Sequence, residues 1–330
     1  MVQKHATLKD IAKETGFSII TISRVMSGRN INHVSLKTKE KVLACAKRLN
    51  YQPNMLARRL VSKTNNIVGV LIDSLAPPYY YNVLSHLESI IHEHNIRLQI
   101  GIMHNDYDAI ERYAKDFLCS GVTDVICISH TYPEFGKEVA RLMNSFKRVI
   151  FLEQPLAETK FPVVTSDHYY NHYEAVTELL KRSYRRIVTI RSDYRDSAYK
   201  ESRRGVIQAY QDFGIVYDPD FWVSYSNENF SSEAWSQKMF DSMAKLKPDA
   251  LIVASDLSAF RIIHKYQEQN AKIPFVFSSY LSEYGQYASP AISGLVYDTE
   301  KTSQKIKEFL LKDGEQESIV VKIPAKIIFY

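Results

Sequence analysis

Hydroxyl side chains and an arginine lie near the start of the chain at spacings that suit contacts with nucleic acid. Thr7, Thr21 and Ser23 carry hydroxyl donors that can reach phosphate oxygens. Arg24 can donate two hydrogen bonds to a guanine edge, although a phosphate contact or a salt bridge along a helix would also explain it. The neighbouring pair Ile19-Ile20 can touch thymine methyl groups, or one of the two can serve as extra packing.

The charge of the chain is divided in a way that supports this interpretation. Residues 1–64 contain 13 Lys and Arg against three Asp and Glu, whereas residues 65–330 contain 29 against 34. The formal charges are therefore +10 and −5. A basic region next to an acidic remainder favours a partner rich in phosphate over a generic soluble enzyme.

The surrounding residues predict the helices that would present those side chains. Thr7 followed three residues later by Asp10 is typical of a helix start, and Gly16 suits the left-handed residue that ends the helix. Ser18 would cap a second helix, whose first turn enters the major groove in a helix-turn-helix unit. The stretch Ser35–Asn50 predicts a third helix.

Four segments of this region are TLKDIA, TISRVMSG, VSLKTKEKV and LNYQPNMLARRL, and they resemble the lac repressor/galactose repressor family of bacterial transcription regulators. The resemblance implies a homodimer that binds double-stranded, pseudo-palindromic operator DNA. Its paired hinge helices, about residues 54–63, would form on the DNA and wedge Leu60 into the minor groove. Ten residues are too few for a stable isolated helix, so the hinge needs a partner.

The resemblance also assigns further DNA contacts. The positions of the family's recognition helix fall on Ile19 and Ile20. The loop Ser27–His33 is about two residues longer than the family pattern, and Arg29 within it is expected to reach a phosphate. The remaining predicted contacts are Ser35, Thr38, Tyr51, Asn54 and Ala57.

The body of the chain alternates apolar runs with helical patterns, which favours an α/β fold with parallel sheets covered by helices. The predicted strands are Ile67–Ile72, Leu98–Met103, Val125–Ser129, Arg148–Leu152, Ile187–Ile190, Ala250–Ala254 and Pro274–Phe277, with Ser318–Ile323 and Lys326–Tyr330 near the C-terminus. The predicted helices are Tyr80–His94, Ala109–Ser120, Tyr170–Arg182, Tyr199–Phe213, Ser232–Lys245, Ser258–Glu268 and Thr299–Lys312.

Some 265 residues are too many for one such sheet, so two lobes are expected. The resemblance implies two lobes like those of a periplasmic sugar-binding protein, crossed by three connections, with an effector between them. The predicted domains are a helix-turn-helix domain with hinge at 1–64 and an effector-binding and dimerisation domain at 65–330. The first lobe would contain residues 65–164 and 296–325, and the second residues 165–295 and the C-terminal end.

Ligands of such folds bind at the carboxyl ends of the strands, where the resemblance assigns an effector pocket. The predicted effector-binding residues are Tyr79, Tyr80, Asp167, Arg195, Ser197, Arg203, Asp256 and Tyr280. The family's pocket arginine falls on Ser202, and we expect Arg203 to replace it. Asp256 has an alternative role as a helix cap.

The effector is expected to be sugar-like and acidic. Where members that bind neutral sugars carry Gly-aromatic-Asp, this chain has Ser278-Ser279-Tyr280, without the carboxylate. Arginines at 191, 195, 203 and 204 are predicted near the same cleft, and arginine pairs with carboxylate and phosphate groups. A phosphoprotein corepressor and a sugar-binding protein without a DNA role are the alternatives.

Enzymatic and membrane functions are not indicated. The sequence has no phosphate-binding glycine loop, no nucleophile elbow and no convergent metal ligands, so no catalytic residue, metal or cofactor is predicted. Cys45, Cys119 and Cys127 are expected to be reduced and buried, as in a cytoplasmic protein. No signal peptide or membrane-spanning run is expected, and the absence of a trailing leucine heptad favours a dimer over a tetramer.

Overall fold

The computed structural model describes residues 6–27, 31–51, 66–73, 78–103, 106–129, 136–153, 159–193, 197–225, 232–312, 314 and 317–330. The chain divides into two compact units, Met1–Asn65 and Asn66–Tyr330, referred to below as the head and the body. The predicted hinge helix at 54–63 lies outside the described residues.

Within its described residues, the head contains three α-helices, α1 (Leu8–Thr15), α2 (Ile19–Ser27) and α3 (Leu36–Arg48). Thr7 and Asp10 form a reciprocal capping box, in which the Thr7 backbone N–H donates to the Asp10 carboxylate at 2.8 Å. Gly16 ends α1 with a φ of 76°, a conformation that costs little only for a residue without Cβ. The caps at Thr7, Ser18 and Ser35 therefore set the three helix starts as predicted.

A small apolar core holds these helices together. Its fully or almost fully buried members are Ile11, Ile22, Val25, Val42, Cys45 and Ala46. Phe17 packs against the edge of this core, and Lys41 lies over the Phe17 ring at 5.4 Å from its centre.

The body contains two six-stranded sheets with helices on both faces. The strands of the first sheet are β1 (Ile67–Asp73), β2 (Arg97–Met103), β3 (Asp124–Ser129), β4 (Arg148–Glu153), β5 (Val163–Ser166) and β11 (Val320–Ile323). Their order is β11-β5-β4-β3-β1-β2, and every pairing is parallel.

The helices of this first lobe are α4 (Pro78–Ile91), α5 (Tyr107–Cys119), α6 (Gly136–Met143) and α11 (Thr299–Leu311). Helices α4 and α11 cover one face of the sheet, and α5 and α6 cover the other. Because both faces are covered, β1 is buried along almost its whole length, as its continuous apolar sequence predicted.

The second lobe repeats this arrangement. Its strands are β6 (Ile187–Ser192), β7 (Trp222–Tyr225), β8 (Ala250–Val253), β9 (Phe275–Ser278), β10 (Ser293–Val296) and β12 (Lys326–Ile328), in the order β12-β10-β9-β8-β6-β7. Its helices are α7 (His168–Lys181), α8 (Ser197–Asp212), α9 (Glu233–Leu246) and α10 (Asp256–Glu268). All pairings are parallel except that of β12 with β10.

The chain passes between the lobes three times, between β5 and α7, between β10 and α11, and between β11 and β12. The predicted fold class is therefore confirmed. Among the α-helices and strands of the described residues, α6, β5, β7 and β10 were not predicted. The expected burial of all three cysteines is wrong for Cys119, which is exposed at the end of α5, whereas Cys45 and Cys127 are buried. Among the described residues, no helix is long and apolar enough to cross a membrane.

Candidate nucleic-acid interface and interlobe site

Helix α2 presents an apolar first turn to solvent. Ile19 is 45% exposed and Ile20 is 66% exposed, and Ser23 and Arg24 lie on the exposed side as well. The opposite side of the helix carries Ile22, which is fully buried in the head core. The alternative, that one of the two isoleucines serves as extra packing, is not supported within the described residues, because both side chains are exposed.

The hydroxyl side chains that were predicted to contact phosphate form hydrogen bonds at the starts of the three helices. The Thr7 hydroxyl donates to Asp10 at 2.7 Å, the Ser18 and Thr21 hydroxyls are 2.9 Å apart, and the Ser35 and Thr38 hydroxyls are also 2.9 Å apart. These caps lie at helix N-termini, where backbone N–H groups and the helix dipole favour anions.

The other predicted DNA contacts are described only in part. Tyr51 is half-buried, and its backbone N–H donates to the Ala46 carbonyl at 2.9 Å after the end of α3. Arg29, Asn54, Ala57 and Leu60 lie outside the described residues.

In the body, a buried carboxylate lies where the first crossover leaves the first sheet. Glu153, at the end of β4, accepts hydrogen bonds from His168 Nε2 at 2.7 Å and from the Thr165 and Ser166 hydroxyls at 3.0 and 3.2 Å. Burial alone would raise the pKa of Glu153, but His168 and these hydrogen bonds outweigh it and lower the pKa. Glu153 also has a φ of 71°, an uncommon backbone conformation of the kind that clusters at functional sites.

Four tyrosines pack together beside this carboxylate. Tyr79 lies edge-on to Tyr80, Tyr297 and Tyr280, with ring centres 5.2, 5.1 and 6.2 Å apart. Its hydroxyl is 2.8 Å from the Thr302 hydroxyl. Burial first, and then the Glu153 charge, raises the pKa of Tyr79, Tyr80 and Tyr297, so these hydroxyls stay protonated near neutral pH.

This tyrosine cluster joins residues of both lobes. Tyr79 and Tyr80 belong to α4 of the first lobe, Tyr280 follows β9 of the second, and Tyr297 lies in the second crossover. The cluster thus brings together three predicted effector-binding residues and one, Tyr297, that was not predicted. Burial, followed by the charge of Asp256, raises the pKa of Tyr280 to about 12.

The guanidinium of Arg191 lies near the carboxyl end of β6 in the second sheet. Arg191 Nη1 donates to His172 Nε2 at 2.9 Å and to the Ser202 hydroxyl at 3.1 Å. His172 Nδ1 donates in turn to the His168 carbonyl at 3.0 Å, and the Ser279 hydroxyl is 3.2 Å from His172 Nε2. His172 and Ser202 are fully buried, and Ser279 is 2% exposed.

Two further predicted pocket residues, Asp167 and Asp256, have other partners. Asp167 caps α7 by accepting from the Tyr170 N–H at 3.2 Å, and Asp256 accepts from the Ser282 and Leu257 N–H groups at 2.9 Å. Ser197 begins α8, and Arg195 lies outside the described residues.

Two of the arginines that were expected at the cleft have other neighbours. Arg203 lies over the Trp222 ring, 6.0 Å from its centre, so it does not take the place of Ser202 beside Arg191. Arg204 donates to Glu201 at 2.5 Å on the exposed side of α8. The residue next to Ser202 is instead Arg191, from the neighbouring strand.

Glu153 and His172 were not predicted as site residues. Glu153 could have been found, because it follows directly after the predicted strand Arg148–Leu152. His172 had no such signal, since its contacts with Arg191 and Ser279 depend on the packing of three separate elements. In the described part of the chain, no group of His, Cys, Asp and Glu could hold a metal ion.

Protonation of His172 should make the protein sensitive to acid. Burial and the neighbouring Arg191 hold the pKa of His172 well below its ordinary value of 6.5, so the unfolded chain binds a proton in a range where the folded one does not. Stability should therefore fall as the pH drops below about 6.5, by up to about 1.4 kcal/mol per pH unit. Glu153, whose folded pKa is lowered, adds a further loss only at more acidic pH.

Urea unfolding of the body at pH 7.5 and 5.5 measures this effect. We expect His172→Gln to lose less stability between these pH values than the unchanged protein. His264→Gln is the control, because the His264 side chain is 73% exposed. An equal pH dependence in all three proteins would contradict the assignment to His172.

Comparisons with known proteins agree with the two-unit organisation. The family model "Bacterial regulatory proteins, lacI family" matches residues 7–54, and "Periplasmic binding proteins and sugar binding domain of LacI family" matches residues 65–311. Catabolite control protein A of Staphylococcus epidermidis is 26% identical over 328 residues, which cover 97% of each chain.

Solved structures share the fold. The lac repressor dimer bound to operator and the anti-inducer ONPF superposes with a TM-score of 0.84 at 20% identity, and covers 99% of this chain and 98% of the other. A transcriptional regulator of Weissella paramesenteroides with bound sucrose gives a TM-score of 0.67 at 18% identity, and covers 80% and 97%. These relatives are transcriptional regulators and not enzymes.

Proposed function

Because the chain belongs to the LacI family and is a DNA-binding transcriptional regulator of that family, we propose that it represses a carbohydrate-utilisation operon under the control of a small sugar-like effector. The effector would bind between the lobes of the body, and the head would read the operator. The observation that carries the proposal is the exposed apolar first turn of α2 on a unit whose sequence has a formal charge of +10.

Electrostatics and apolar contact would contribute differently to operator binding. The basic residues of the head attract the phosphate backbone regardless of sequence. Ile19 and Ile20 cannot form hydrogen bonds with base edges, so they would select sites by thymine methyl groups and by the deformability of the DNA.

The strand ends of the body support an effector site between the lobes. Aromatic rings, a carboxylate and a guanidinium lie there within a few residues of the crossovers, and such a mixture suits a sugar ring with polar substituents. The solved relatives with bound sucrose and with ONPF support a ligand of this class.

A homodimer would place two heads on the two halves of an operator. Exposed apolar side chains on edge strand β2 and on α4 support such an interface, with Ile100 51% exposed, Ile102 43% and Tyr81 43%. An effector that changes the angle between the lobes would change the spacing of the two heads. Effector and operator must then alter each other's affinity by the same factor.

A salt series tests the DNA-binding function directly. The full-length protein is first used to select sites from a random DNA library, and its affinity for a selected site is then measured between 50 and 200 mM salt. If six or more phosphates are contacted, we expect a loss of about a thousandfold or more through counterion release. Lys238→Gln, an exposed change on α9 of the body, should leave the slope unchanged. A flat response at a selected site would contradict the proposal.

A further inference from the structure

We propose that Arg191 selects an effector that carries a carboxylate or phosphate group, and that His172 is the positioning residue that holds its guanidinium in place. This inference rests on the proposed function, since it concerns the ligand of the interlobe site.

Three buried polar groups form a seat for this guanidinium. His172 comes from α7, Ser202 from α8 and Ser279 from the segment after β9, and each of the three is 2% exposed or less. Burying a polar side chain is unfavourable unless it finds a hydrogen-bond partner. Arg191 bonds to His172 and Ser202 directly, and Ser279 contacts the same imidazole nitrogen.

The seat fixes Arg191 without neutralising its charge. A guanidinium has donors but no acceptor, so His172 Nε2 must carry a lone pair, and the imidazole proton must be on Nδ1, where it reaches the His168 carbonyl. His172 is therefore neutral. Serine hydroxyls are neutral as well, so the positive charge of Arg191 remains uncompensated by its seat.

Three other cations of the body are paired with carboxylates. Arg148 has Asp124 at 2.5 Å, Arg204 has Glu201 at 2.5 Å, and the almost buried Lys265 has Glu233 at 2.6 Å. Within the described residues, Arg191 has no carboxylate within salt-bridge distance. A half-buried guanidinium held by neutral groups is suited to pair with an incoming anion.

Glu153, the carboxylate at the end of β4, forms no ion pair with Arg191 and has partners of its own. Its oxygens accept hydrogen bonds from His168, Thr165 and Ser166. Arg191 itself uses only Nη1 for its seat, which leaves its Nε and Nη2 hydrogens for a ligand. Because Arg191 lies at the carboxyl end of β6, these donors are at the sheet edge where ligands of such folds bind.

Small anions can test anion binding at Arg191 although the effector is not identified. Thermal unfolding of the full-length protein is measured in sulfate and in chloride at equal ionic strength, so that general salt effects are shared by all variants. We expect sulfate to raise the midpoint of the body transition more in the unchanged protein than in Arg191→Gln. Arg204→Gln is the matched control and should respond like the unchanged protein. An equal sulfate response in Arg191→Gln overturns the proposal.

Paired sugars then test the chemical class by calorimetric titration, with glucose against glucuronate and glucose 6-phosphate, and galactose against galacturonate. For at least one pair the acidic member should bind more tightly, and Arg191→Gln should weaken that binding about tenfold to a hundredfold, as expected for a charged hydrogen-bond pair. Arg191→Lys should recover only part of it, because an ammonium lacks the paired donors. Tight binding of a neutral sugar alone would overturn the proposal.

The role of His172 is tested by a conservative rescue. The Gln side-chain oxygen can accept from Arg191 as Nε2 does, whereas Leu cannot. His172→Gln should therefore keep the sulfate response and the preference for the acidic sugar, and His172→Leu should lose both. If His172→Gln and His172→Leu both lose the sulfate response and the preference for the acidic sugar while their thermal stability is unchanged, His172 does not position Arg191 through this hydrogen bond. The salt series measures operator binding and not the effector site. A failure of the proposed function can therefore be distinguished from a failure of this inference.

Discussion

Replacing Ile22 by alanine should abolish operator binding while the body remains folded. Ile22 is fully buried in the head, and truncation of a core isoleucine costs about 2–5 kcal/mol. Among the described residues of the head, the core has six buried apolar members, and units of this size have little stability in reserve. Because the body forms a separate compact unit, its unfolding midpoint should not change.

Binding to a selected operator, measured by fluorescence anisotropy, and thermal unfolding of the body give the two readouts. Ile20 provides the control within the same helix, since its side chain is 66% exposed. Ile20→Ala should keep the head folded, and Ile20→Gln should shift the preferred sites toward adenine, whose edge can bond an amide. If Ile22→Ala binds like the unchanged protein, or if Ile20→Gln selects identical sites, the assignment of the two faces of α2 is wrong.

Replacing Gly205 by alanine should destabilise the second lobe by several kcal/mol. A Cβ at Gly205 would lie 2.3 Å from the Tyr169 carbonyl oxygen and 3.0 Å from the Tyr173 nitrogen, so helices α7 and α8 would have to separate. Both obstacles are backbone atoms, which cannot rotate away. The same close approach allows Ser202 of α8 to share Arg191 with His172 of α7, so the change should also weaken the sulfate response.

Urea unfolding of the body measures the loss of stability. Gly136→Ala is the matched control, because among the described atoms nothing lies within 4 Å of the added Cβ at the start of α6. That change should be neutral or should stabilise the protein by about 0.5–1 kcal/mol, since alanine favours helix. Equal stability of the two variants would show that α7 and α8 are not packed as closely as described.

The sequence predicted the long elements and missed the short ones for a physical reason. An apolar run such as Ile67–Ile72 requires burial on both faces, so it predicted β1 as an inner strand of a covered sheet. Strand β10 contains Ser293 and Gly294, which have low strand propensity. It exists because Gly294 lets the strand approach the Ser278 carbonyl, 2.5 Å from where a Cβ would be, and this reason is visible only in three dimensions.

The interlobe site illustrates the same limit. The family resemblance predicted that Arg203 replaces the arginine missing at Ser202, but successive residues of a helix point about 100° apart, and Arg203 contacts Trp222 instead. Arg191 reaches Ser202 from a different element, eleven residues earlier. The family resemblance could predict that an arginine is absent at Ser202, but not that Arg191 of a neighbouring strand lies beside this serine.

The final crossover bears on the order in which the protein is made. The last two strands in chain order complete different sheets, since β11 pairs with β5 in the first lobe and β12 with β10 in the second. The described residues of the head core, in contrast, lie between Leu8 and Tyr51. At ordinary rates of translation, about 5–20 residues per second, on the order of ten seconds to a minute separate the synthesis of Tyr51 from that of β12. The residues of the described head core are therefore synthesised before either lobe of the body has all of its strands.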